Sequence, residues 1–149
     1  MMPDDFRRYI ERGIVRKCSP NPSRADFLVN ESETSLRGLK KRLDVMGIDD
    51  DNANSIVKDG YDILMELLRA KILLDGYDSS GRFAHEAEVS YLKELNFTDN
   101  DVLFMNELRQ FRNSVTYYGK LLSTEYARQV ATFVEKMYPK IKQITTKRH

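Results

Sequence analysis

The chain has 149 residues, 41% hydrophobic and 32% charged, and its 24 Lys+Arg against 23 Asp+Glu leave a net charge of +1. These values describe one ordinary globular domain with a core of its own, leave no room for a second, and argue against a general polyanion binder, although a local basic patch remains compatible with them. A single cysteine, Cys18, excludes an intrachain disulfide and a Cys-based zinc site, and its expected state is an unpaired thiol.

The first residues, Met1-Met2-Pro3-Asp4-Asp5, are acidic where a secretory signal is basic, and no apolar run approaches the ~20 residues that span a bilayer. The expectation is a cytoplasmic protein with no membrane segment. A first helix is expected from Pro3, carrying Phe6, Tyr9, Ile10 and Ile14 inward until Cys18-Ser19-Pro20-Asn21-Pro22 interrupts it, so that residues 1–22 form a separable helical arm. No proline then occurs until Pro139, and apolar residues recur at spacings of three and four, the period of helices. The fold class expected is therefore all-α, an up-and-down bundle of four to five main helices plus the N-terminal one, in a single domain over 1–149.

The second helix runs from about Arg24 to Met46 on the stripe Leu36, Leu39, Leu43 and Met46, with a weak polar start at Asn30–Thr34 and Gly47 as its stop. Asp49, Asp50, Asp51 and Asn52 bring capping oxygens and negative charge to the next helix start. They lack the Gly and Glu offsets of a calcium loop. From Ile56 to Leu74 the apolar set Ile56, Tyr61, Leu64, Leu67, Leu68 and Ile72 makes a wide stripe suited to a bundle centre. Gly76–Gly81 reads as a loop, and a shorter helix follows from Ala84 to Leu95. Thr98 with Asp101 three residues on suggests a capping box for a helix closed by Gly119. Ser123 caps the last helix, on the stripe Tyr126, Val130, Phe133, Met137, Ile141 and Ile144, with a kink expected at Pro139.

Several chemistries fall away by counting. His85 and His149 are the only histidines, and neither sits in a Glu-x-x-His or His-Glu-x-x-His pattern, so no metal site is expected. Glycine-rich nucleotide loops are absent, Ser114 standing where a phosphate loop ending at Gly119-Lys120 would need its first glycine. No cofactor is expected.

The informative segment is Glu107–Gly119. At about 100° per residue, Phe104, Leu108, Phe111, Val115 and Tyr118 form its expected buried stripe, while Arg109, Arg112 and Thr116 share a flanking ridge with Asn113 one turn beyond Arg109. A guanidinium beside an apolar stripe must be paired with a carboxylate, solvated at a cleft, or held for a phosphate. Spacing alone leaves the ion pair and the phosphate site both open. Basic residues also cluster at Arg37, Lys40, Lys41 and Arg42, and at Lys140, Lys142, Lys147 and Arg148. Either cluster is a solvated helix face or a phosphate contact.

Leu108–Lys120, with Arg112-Asn113 opening it, resembles the signature of the HEPN domains (higher eukaryotes and prokaryotes nucleotide-binding), in which an Arg and a polar residue precede a His. The helix order from about Ala53 to Ile144, including the helix opening at Phe83-Ala84-His85-Glu86-Ala87, resembles the family as well. The resemblance implies a helical bundle, homodimerisation, nucleotide or RNA as ligand, in some systems a small nucleotidyltransferase as partner in a toxin–antitoxin pair, and in many members metal-independent RNA cleavage. Here the position five after Arg112 is Tyr117, followed by Tyr118, and no His stands in the motif. A phenol with pKa near 10 is about one part in a thousand ionised at pH 7 and makes a poor general base, though it can donate a hydrogen bond or stack on a nucleobase. The expected function is phosphate binding through Arg109, Arg112, Asn113 and Thr116. The alternatives are a ribonuclease using Arg112 with Tyr117 or His85 for proton transfer, and a non-catalytic dimeric adaptor.

Overall fold

The computed structural model describes residues 1–118 and 121–147, with Thr116, Tyr117 and Tyr118 described by their backbone alone. The expected side-chain roles of Thr116, Tyr117 and Tyr118, the stop at Gly119, and Lys120, Arg148 and His149 lie outside what is described. The chain is an all-α bundle: α1 (Phe6–Glu11), β1 (Val15–Lys17), α2 (Pro22–Met46), α3 (Ala53–Leu74), β2 (Tyr77–Ser79), α4 (Ala84–Glu94), α5 (Asp99–Tyr118) and α6 (Thr124–Thr146). Among the described residues no helix is long and apolar enough to cross a membrane.

The central element is α3, whose apolar stripe Ile56, Tyr61, Leu64, Leu67, Leu68 and Ile72 is buried throughout. Helices α2 and α6 pack most extensively along it, and α4 and α5 pack against it as well. Each fully buried Leu of this stripe contributes about 1.5–3 kcal/mol by leaving water. The closest approach of α3 and α6 is made at Gly60, where a Cβ would stand 2.9 Å from Cγ1 of Val130 and 3.1 Å from Cγ2 of Val134. On α2, buried Ser32 shares a 2.9 Å hydrogen bond with the Tyr138 hydroxyl of α6, so the polar stretch Asn30–Thr34 is built into the helix pair. Helix α6 is capped by Ser123, whose Oγ accepts from the Tyr126 N–H, and runs through Pro139 without interruption.

Several expectations are corrected. The N-terminal helix is only six residues long, and the chain beyond it is a strand, β1. That strand pairs antiparallel with β2 in the register Val15↔Ser79, Arg16↔Asp78, Lys17↔Tyr77, where a loop had been expected. Gly76 permits the turn into β2: its φ is +88°, and a Cβ there would press to 3.0 Å on the carbonyl oxygen of Cys18. Nor is the arm separable, because Phe6 and Tyr9 are buried and α1 packs on α4. At the start of α3, Asn52 makes no side-chain cap. Its Oδ1 accepts from the Asp49 N–H, while Asp49 Oδ1 accepts from the N–H groups of Asp51 and Asn52, so the acidic cluster ties its own turn.

Helix α5 is rotated from the expected phase. Its buried residues are Val102, Met105 and Leu108, together with Asp101 and Asn106, whereas Phe104, Phe111 and Val115 are only half-buried. Phe104 and Phe111 instead pack at the margin against α6, Phe104 stacked on Tyr126 at 6.0 Å and Phe111 edge-on to it at 4.9 Å. The buried Asp101 carboxylate that makes this phase possible is matched by Lys136 of α6.

Candidate functional site

Thr98 starts α5 by accepting the Asp101 N–H at its Oγ1, as the capping pattern predicts. One turn beyond Leu108 the buried face of the helix continues into charge. Because of the rotated phase, Arg109 and Arg112 extend the core-facing side and do not merely flank it. Their side chains are 15% and 27% exposed, too buried to be left without counter-charges.

The counter-charges come from two different helices. Arg109 faces Glu86 of α4, with Nη2 3.5 Å from Oε1, and its Nε donates to Oδ1 of Asn106 at 3.0 Å. Arg112 faces Asp62 of α3, with Nε 3.4 Å from Oδ1 and Nη2 3.4 Å from Oδ2. Both contacts are longer than the about 2.7–2.9 Å of a tight charge-assisted bond. By contrast Arg69 of α3 grips Glu88 of α4 with two bonds of 2.8 and 3.0 Å. Asn113 lies half-buried beside Arg112 in sequence.

His85 is exposed at the start of α4 and turns toward α3, its Nδ1 3.4 Å from the Tyr61 hydroxyl. Burial, and after it the Glu88 carboxylate, pushes the Tyr61 pKa up, so the phenol stays protonated; the charges of Arg109, Asp62 and Arg69 also act on it. The residue that carries α4 to α5 is therefore Glu86, not its neighbour His85. On the acidic side, burial raises the Glu66 pKa, and Glu31 and Asp62 raise it further.

Of the sequence-predicted residues, Arg109, Arg112 and Asn113 share one helix face region, whereas the contact shown for His85 is with Tyr61 of α3. Sequence reasoning missed Asp62, Glu86, Asn106 and Tyr9. For Asn106 a signal existed, a polar residue three positions before Arg109 on a helix; the others lie far away in the chain. Among the described residues no group of three or more His, Cys, Asp or Glu could hold a metal ion. Of the basic clusters, Arg42 pairs with Asp59 and Lys142 with Glu33, which ties both to neighbouring helices. A separate cleft of about 730 Å³ opens at the C-terminal end of α4, lined among others by Phe6, Lys17, Lys71, Tyr77 and Tyr91, and contains none of the predicted site residues. No protein-family model matches the chain, and no curated protein matches it.

Proposed function

We propose that the chain is a HEPN-like module that binds the phosphate of a nucleotide or RNA, with Arg109 and Arg112 as the phosphate donors and Asn113 beside them. One observation carries this reading. Two guanidiniums one turn apart emerge from the core side of α5, and each faces a carboxylate at 3.4–3.5 Å. Phosphate accepts a guanidinium fork at short range, so its oxygens compete well with carboxylates held at this distance. In this reading the chain binds without cleaving, because the exposed His85 is turned to Tyr61 and the motif offers a phenol where the family has an imidazole. A homodimer, and a small nucleotidyltransferase as partner in a toxin–antitoxin pair, belong to the proposal through the family resemblance.

The test is fluorescence anisotropy of a labelled single-stranded RNA in EDTA. Arg112→Ala is expected to weaken binding roughly tenfold or more, the loss of one charged hydrogen-bonding group. The slope of log affinity on log salt should also fall by about 0.7 for each phosphate contact removed. Equal affinity of the folded variant and the wild type would refute the site. Cleavage of the RNA by the wild type, lost in Arg112→Ala, would instead support the ribonuclease reading.

The same ion pairs favour a second reading, a non-catalytic helical adaptor in which Asp62 and Glu86 are permanent partners of the two arginines. It predicts a stable dimer with no RNA or nucleotide affinity in sedimentation and anisotropy measurements.

A further inference from the structure

Arg109 is held by two groups, and each of them is also held by the N-terminal segment. Asn106, 3% exposed, accepts from Arg109 Nε and donates its amide to the Met1 carbonyl oxygen at 2.7 Å. Glu86, which faces Arg109 through Oε1, accepts at Oε2 a 2.8 Å hydrogen bond from the Tyr9 hydroxyl of α1. Tyr9 is fully buried, and its ring lies under the Arg12 guanidinium at 5.7 Å. Burial first, and then the bond to Glu86, push its pKa up, so it remains a donor at every physiological pH. Asn106 thus fixes the Nε side of the Arg109 guanidinium, and the acid paired with its outer edge, Glu86, has its other oxygen already engaged.

We infer that Tyr9 is a positioning residue for anion binding at Arg109: its hydroxyl retains Glu86 and so weakens the competition that this carboxylate offers to an incoming phosphate. The inference rests on the phosphate-binding reading above. A carboxylate stripped of its phenol donor carries undiminished charge and closes on the cation it already faces, Arg109. Tyr9 therefore controls affinity without touching the ligand, and the N-terminal segment becomes part of the site.

The experiment is a double-mutant cycle read by anisotropy of a labelled single-stranded RNA, using the full chain with Tyr9→Phe, Glu86→Gln and both together. Tyr9→Phe keeps the buried ring and removes only the hydroxyl. It is expected to weaken binding roughly threefold to tenfold, and Glu86→Gln to strengthen it by a similar factor. In the Glu86→Gln background Tyr9→Phe should have no effect, since the competing charge is gone. A merely structural role for Tyr9 moves affinity equally in both backgrounds, or in neither, and either result overturns the inference, as does unchanged or weaker binding by Glu86→Gln. Arg109→Ala separates the two levels of failure. If it weakens binding while the cycle shows no coupling, only the role of Tyr9 falls; if it leaves affinity unchanged, the phosphate site falls with it.

Discussion

Arg69→Met is expected to destabilise the fold by about 3 kcal/mol, and to lower Tm by roughly 6–12 °C, because it strands a buried carboxylate. Glu88 is 4% exposed at its side chain, and both of its oxygens are occupied by Arg69, with Ser79 Oγ adding a third bond at 3.2 Å. The pair raises the Arg69 pKa, chiefly through the hydrogen bonds to Glu88. Since Arg69 belongs to α3, Glu88 to α4 and Ser79 to β2, one carboxylate fastens three elements. Arg69 is 26% exposed, so water reaches part of the gap, and the lower end of the 3–5 kcal/mol range for a broken buried pair applies. The companion variant Arg69→Met/Glu88→Leu removes both charges and should recover most of the loss. A single variant within 0.5 kcal/mol of wild type in urea unfolding would show that Glu88 finds other partners.

Gly60→Leu is expected to cost a similar amount, about 3 kcal/mol, for a steric reason. At 2.9 Å from Val130 Cγ1 even a Cβ is too close, and valine has few rotamers with which to retreat inside a helix. Four added carbons would force α3 from α6 along one of the two most extensive helix contacts in the bundle, an overpacking at the upper end of its usual 1–3 kcal/mol. Gly60→Ala separates propensity from space. Its helix propensity gain of about 1 kcal/mol opposes the strain of one methyl, so its stability should stay near that of wild type. Urea unfolding of the two variants checks both statements. A leucine variant as stable as wild type would mean that the helices repack freely at this crossing.

The bundle was legible in the sequence where burial follows period. Helix α3 carries its expected stripe, α6 carries its own from the expected cap, and α2 stops at Gly47 although Met46 of its expected stripe is exposed. The short sheet was not legible. Strands of three residues carry too little pattern, and β1 and β2 are joined by backbone bonds between segments about sixty residues apart. Helix α5 was misphased because hydrophobicity weights Phe104 and Phe111 above Asp101 and Asn106, yet those two polar residues are buried and satisfied by Lys136, Met1 and Arg109. Of the candidate site, the arginines were readable as a ridge from their spacing. Asp62, Glu86 and Tyr9 were not, since which acid faces which base is decided by how α1, α3 and α4 pack, and no local pattern encodes it.

The bonds that fasten the N-terminal segment also set an order of events during synthesis. Tyr9 waits for Glu86, 77 residues later; the Pro3 carbonyl waits for Lys93, 90 later; and the Met1 carbonyl waits for Asn106, 105 later. At 5–20 residues per second the ribosome delivers these partners roughly 4–20 s after the segment itself has been made. Translated well before their partners, these residues are therefore late to dock, and the apolar rings of Phe6 and Tyr9 stay open to chaperones until α4 has left the exit tunnel.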